Sequence, residues 1–172
     1  MVSGSRNYKN IVRGLSSLDR AAAQLNRRLP VVVTGIVSSS SEELSARYPN
    51  IDLTTLGYVP PSELTKAYKE ASLLLYPSLN EGFGIPLVEA MRHGTPIAAA
   101  AIASIPEVVG DSALLFNPFD VDEMALRLYQ FFEDRGMRER LGVKARSRFQ
   151  FLQEQARQQW QALARDLDEV DQ

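Results

Sequence analysis

The stretch that decides the fold reads Tyr76-Pro-Ser-Leu-Asn-Glu-Gly-Phe-Gly-Ile-Pro-Leu-Val-Glu89. Just before it, Leu73, Leu74 and Leu75 run into Tyr76 and stop at Pro77, which reads as a short strand buried on both faces. At its far end Leu87, Val88, Ala90 and Met91 mark a helix that starts near Gly84 or Ile85 and is ended by Gly94. Strand, polar loop and helix in that order form the repeating unit of an open α/β sheet, where ligands bind beyond the carboxyl ends of the strands. The loop is built for such binding. Gly82 and Gly84 let the backbone approach a ligand with no side chain in the way. The free amides of the helix's first turn, with the dipole behind them, form an anion site, and Pro86 is tolerated there although it has no amide. Glu81 stands before the helix start and Glu89 about one turn inside it, both near the mouth of that site. A carboxylate beside an anion site repels phosphate unless the ligand also carries hydroxyls, which donate to the carboxylates while the amides take the phosphates. The plainer reading makes Glu81 a helix cap and Glu89 a solvated or ion-paired side chain. Two acids flanking Gly82-Phe83-Gly84 favour the ligand.

Working outward, Gly and Pro cut the rest of the chain into alternating pieces. Ile11, Leu15, Leu18, Ala22 and Leu25 recur at helical spacing, and Val31, Val32 and Val33, closed by Gly35, predict a strand buried on both faces. A serine-rich loop over residues 38–41, a short helix over 42–47 and a strand over 51–56 follow. Pro60, Pro61 and Ser62 open a helix whose apolar face holds Leu64, Ala67, Tyr68 and Ala71. Past the deciding stretch come a strand over 97–101, a helical turn over 105–109 and a strand over 113–116. Helices are expected over 120–134, 137–149 and 151–169, forming a helical C-terminal tail. The pattern is a doubly wound, Rossmann-like parallel sheet in a single domain, residues 1–172. Met1, Val2 and Ser3 are too few for a normal strand, so the first strand reads as truncated.

Composition narrows the function. The 172 residues are 45% hydrophobic and 23% charged, enough for one self-sufficient core. No cysteine and one histidine exclude a disulfide scaffold, a thiolate nucleophile and the usual zinc sites. A net charge of −2 argues against nucleic acid as a partner. No apolar run approaches a membrane span, and the expected location is cytoplasmic, with peripheral membrane attachment left open. His93, in the last turn before Gly94, suits a cation at a helix C-terminus better than a catalytic base.

Pro77-Ser78, then Glu81-Gly-Phe-Gly-Ile-Pro-Leu-Val-Glu89-Ala-Met91, resembles the Glu-x7-Glu signature of retaining glycosyltransferases with the GT-B fold, above all glycosyltransferase family 4. Leu56-Gly-Tyr-Val59 before it, and Gly94-Thr-Pro-Ile97, Ile105-Pro-Glu-Val-Val-Gly110 and Leu114-Leu-Phe-Asn-Pro118 after it, are similar to the family's flanking stretches. Arg6-Asn-Tyr-Lys9-Asn10 resembles the basic loop at the front of the family's C-terminal domain.

The resemblance implies the C-terminal, donor-binding half of a GT-B enzyme that moves a sugar from a nucleotide diphosphate sugar to a hydroxyl acceptor with retention. It implies that Glu81 takes a donor-sugar hydroxyl and that amides around Gly82, Phe83, Gly84 and Ile85 face the sugar and diphosphate. Leu87 or Val88 would complete the anion site, and Glu89 would accept from the ribose. Arg6 and Lys9 would neutralise the diphosphate, while Tyr58 and Val59 would line the base pocket. Neither metal nor other cofactor is expected, because basic side chains and helix dipoles take the metal's place.

The family's acceptor-binding domain has no counterpart in these 172 residues, so full activity is expected to need that domain or a partner chain. Self-association through the sheet or the helical tail is a further expectation. The alternative reading is a non-catalytic nucleotide-sugar binding module, or one subunit of a two-chain transferase. A GT-B epimerase and a flavodoxin-like fold without sugar chemistry are disfavoured by the Glu81–Glu89 pair.

Overall fold

The computed structural model describes residues 7–35 and 41–170. The expectations for Met1–Ser3, for Arg6 and for most of the serine-rich loop fall outside those residues. A short 3-10 turn, Asn7–Lys9, leads into helix α1 (Ile11–Gln24) and strand β1 (Leu29–Thr34). Next come α2 (Ser41–Arg47), β2 (Ile51–Gly57), α3 (Pro61–Glu70), β3 (Leu74–Tyr76) and α4 (Ile85–His93). The chain then runs through β4 (Ile97–Ala100), α5 (Ile105–Val109), β5 (Ala113–Phe116), α6 (Val121–Glu133) and α7 (Arg135–Val170).

Every ladder is parallel, as alternating strands and helices require. β1 pairs with β2 from Leu29↔Ile51, and β4 lies between β3 and β5, with Ile97 opposite both Leu74 and Ala113. These are the two flanks of a 3-2-1-4-5-6 order once its central strand is set aside. Among the described residues no ladder joins β1 to β3; a cavity of about 850 Å³ separates them. Leu29, Val31, Leu73, Leu75, Leu64 and Phe132 line it. Helix α1 packs on α6 and α4 on α7, sandwiching a core in which Ile97, Ala98, Ala99 and Ala100 are wholly buried. Small side chains along β4 suit a strand covered on both faces.

Two expectations need correction. β1 is not buried on both faces: it alternates, and Val32 is 40% exposed, so the three valines follow the pleat. It also begins before Pro30, which sits within the strand. The last two expected helices are one, α7, whose 36 residues cross the anticipated break near residue 150 without interruption. Beyond Leu152 its described side chains are exposed, Trp160 at 71% and Leu167 at 59% among them.

Asn10 ties the front of the molecule together. It adopts a left-handed conformation (φ 54°), and its buried side-chain amide donates to the carbonyls of Pro77, 3.1 Å away, and Pro118, 2.8 Å away. One side chain thus joins the start of α1 to the loops after β3 and β5. Asn10→Ala leaves two buried acceptors without donors in a backbone conformation alanine dislikes, an expected loss of about 2–4 kcal/mol in urea denaturation. A loss below about 0.5 kcal/mol would mean that other donors, such as water, replace the amide.

Candidate functional site

The loop after β3 is held from three sides. The Leu79 amide donates to the Tyr8 carbonyl (2.6 Å), Asn10 holds Pro77, and the Ser104 hydroxyl donates to the Glu81 carbonyl (3.0 Å). Loops at the carboxyl ends of β3, β4 and β5 therefore converge on one place, as the sheet topology demands.

At that place Lys9 and Glu81 form an ion pair of 2.6 Å, their side chains only 14% and 12% exposed. The Lys9 ammonium also lies 5.2 Å from the ring centroids of both Tyr8 and Tyr76, and donates to the Tyr76 hydroxyl at 3.3 Å. Burial works against ionisation of Glu81, but hydrogen bonds from Lys9, Tyr76 and Ser78, with the Lys9 charge, hold its carboxyl below the usual glutamate range. Burial, reinforced by the adjoining carboxylate, pushes the Tyr76 phenol up, so it remains a neutral O–H. A carboxylate held ionised in this way is a weak base and a good hydrogen-bond acceptor.

Gly84 caps helix α4, and its φ of 84° turns the chain into the helix; a Cβ there would also meet Leu87 Cδ1 at 2.8 Å. Gly84 and Leu87 are buried, whereas Phe83 and Ile85 are 55% and 65% exposed. A Cβ on Gly82 would meet nothing within 4 Å, so the space above that backbone is open. The Leu87 amide donates to the Gly84 carbonyl at 2.8 Å and is engaged within the turn. Pro86 has no N–H, and Ile85, at the first helical position, has no acceptor within the helix. Val88 is half-buried, one position further in.

Glu89, half-buried in α4, accepts a 3.0 Å hydrogen bond at Oε2 from the Tyr68 phenol of α3. The structure thus joins Lys9 to Glu81 and sets Glu89 one turn into the helix that Glu81 precedes. Tyr58 is 90% exposed and Val59 half-buried, both just after β2. Burial comes first, ahead of Lys69, Arg92 and Arg146, in holding His93 below the ordinary histidine range.

Sequence reading missed Tyr68, Tyr76, Ser78 and Ser104 as parts of the site. The available signal was chemical: a buried tyrosine at the end of a leucine run needs a partner for its hydroxyl.

Residues 1–148 match the family described as glycosyl transferases group 1, and the chain belongs to that family. It is 34% identical over 142 residues to the O-antigen chain mannosyltransferase B of Escherichia coli, a match covering 76% of this chain and 35% of that protein. It is 33% identical over 147 residues to a D-inositol 3-phosphate glycosyltransferase of Corynebacterium aurimucosum, covering 77% of this chain and 35% of the other. Among solved structures, the sucrose-phosphate synthase of Thermosynechococcus elongatus aligns with a TM-score of 0.76 at 26% identity, covering 98% of this chain and 45% of that one. The fold is accordingly the C-terminal half of a GT-B glycosyltransferase, and the chain spans about a third of the length of these two relatives. No helix among the described residues is long and apolar enough to cross a membrane.

The lowered Glu81 value fixes the sign of an acid response. Its ionised form favours the folded state, so its contribution is complete above the ordinary glutamate value and is lost as pH falls through the lower folded one. Glu81→Gln should melt below the parent by a constant margin above about pH 5, and the margin should close as pH drops below about 4. Melting curves at a series of pH values read this directly; a margin independent of pH would show that Glu81 is not held ionised by its neighbours.

Proposed function

We propose that this chain is the donor-binding half of a retaining hexosyltransferase of the family 4 type, a single domain that binds a nucleotide diphosphate sugar at the N-terminal end of α4. The observation that carries the reading is the pairing of a half-buried Lys9–Glu81 ion pair with Glu89 around the open backbone of Gly82. Glu81, kept ionised, accepts from a hydroxyl of the donor sugar. The Ile85 amide and the α4 dipole face the diphosphate, with Gly84 and Phe83 as the close wall. Lys9 and Arg6 meet the negative charge that grows on the nucleoside diphosphate as its bond to the anomeric carbon breaks. Glu89 accepts from the ribose, and Tyr58 and Val59 border the base.

Charge compensation by these groups fits donor chemistry without a metal. Mannosyl transfer by one relative and glycosyl transfer by the other, as their names state, fit a hexose donor. Transfer to an acceptor then requires the remaining part of such an enzyme. The exposed Trp160, Leu163 and Leu167 of α7 suit a helix that packs against that part. A cytoplasmic location, free in solution or at a membrane surface, agrees with a nucleotide-activated donor.

Isothermal titration with GDP, UDP, ADP and their hexose conjugates, without added metal, tests the reading. One nucleotide should bind saturably, and Glu89→Ala should weaken it by about 1–3 kcal/mol through loss of a charged acceptor. Absence of binding by a folded chain, or an unchanged affinity in Glu89→Ala, would overturn the donor reading or the ribose role respectively.

A further inference from the structure

Tyr68 lies outside the loop that carries the signature acids, yet it is fixed at two points to α4 and at a third to the segment just after it. Its phenol donates to Glu89 Oε2 at 3.0 Å. Its ring stacks on His93, with centroids 6.3 Å apart and planes 17° apart. Its main-chain carbonyl accepts from the Thr95 hydroxyl at 2.7 Å. Glu89 and His93 are four residues apart and share one face of the helix, so the tyrosine bridges carboxylate and imidazole along that face.

Tyr68 is also the one fully buried side chain of α3, at 4% exposure. A phenylalanine would fill that place as well for packing. What the hydroxyl adds is a donor to a carboxylate, and burial with the nearby Glu89 charge pushes its pKa up, so it remains a donor across the physiological range. A carboxylate has two oxygens and about four acceptor sites. With Oε2 engaged by Tyr68, the carboxylate still has Oε1 with which to accept from a ligand.

We propose that Tyr68 is a positioning residue for ribose recognition, holding Glu89 so that its second oxygen accepts from the vicinal hydroxyls of a nucleoside diphosphate. The proposal rests on the reading of Glu89 as the ribose acceptor and adds what makes that acceptor selective. An unheld glutamate gives up rotamer freedom on binding and is free to turn to water, whereas a held one meets the diol already oriented.

The test is the ratio of affinities for ribose and deoxyribose ligands, not affinity alone. Calorimetry on the 172-residue chain uses GDP, UDP and ADP with their 2′-deoxy and 3′-deoxy counterparts. The parent should prefer the ribose form of the nucleotide it binds. Tyr68→Phe should weaken that form by about 3- to 10-fold, the scale of one ordinary hydrogen bond, and leave the deoxy forms within about twofold. A merely structural role would weaken ribose and deoxy forms alike.

A parental ratio in Tyr68→Phe overturns the proposal. If Glu89→Gln loses the ratio while Tyr68→Phe keeps it, only the role of Tyr68 fails. If Glu89→Gln also keeps it, the ribose reading of Glu89 fails and the proposal with it. Absence of binding by the parent removes both. Should Tyr68→Phe not fold by circular dichroism, Thr95→Val, which frees the Tyr68 carbonyl, should still lower the ratio about two- to threefold, less than one full hydrogen bond; a parental ratio there overturns the proposal.

Discussion

An ammonium and a carboxylate that are each nearly out of water need one another, and the Lys9–Glu81 pair imposes that need on everything around it. Lys9 comes from the turn ahead of α1, and Glu81 from a loop 72 residues further on. To bring them to 2.6 Å, the turn must sit beside the end of β3, which the Tyr8–Leu79 main-chain bond and the Asn10 side chain accomplish. The rings of Tyr8 and Tyr76 then close around the ammonium and limit its hydration. The pair is therefore an anchor of the fold and also a store of charge at the mouth of α4.

Helix α4 converts that anchor into a binding surface. The left-handed Gly84 aims the chain into the helix, and the 2.8 Å bond from the Leu87 amide back to the Gly84 carbonyl tightens the first turn. Glu89 follows one turn later, held from outside by Tyr68. The two carboxylates are thus fixed by different means, one by a cation and the other by a neutral phenol. A carboxylate bound to a neutral donor keeps its charge available to a second donor, while one bound to lysine has part of its charge already balanced.

Much of this was legible in the chain because punctuation and chemistry coincide locally. Pro77 and Gly94 bracket loop and helix, and Gly82, Gly84 and the two acids lie within nine residues. The α4 boundaries follow from Gly84 and Gly94 alone. What was not legible depends on partners far apart in sequence. Tyr68 finds Glu89 21 residues away, and Lys9 finds Tyr76 67 residues away, distances over which no residue pattern records a contact. Val32 was misread because a run of three valines looks the same whether one face or both are covered. The fused α7 has a different cause: two helices were expected with a break near residue 150, yet between Gly142 and Val170 there is neither glycine nor proline to break the backbone.

The division of the sheet has a consequence for cooperativity. β1 and β2 share a ladder with each other, and β3, β4 and β5 share another; α1 touches the first ribbon and packs mainly on α6. Among the described residues, the coupling between the two ribbons passes through side-chain packing across a cavity instead of through main-chain hydrogen bonds. The signature loop stands where β3, β4 and β5 end, whereas Tyr58 and Val59 follow β2. A donor bound as proposed would touch both ribbons at once, and its binding energy would tie the one to the other.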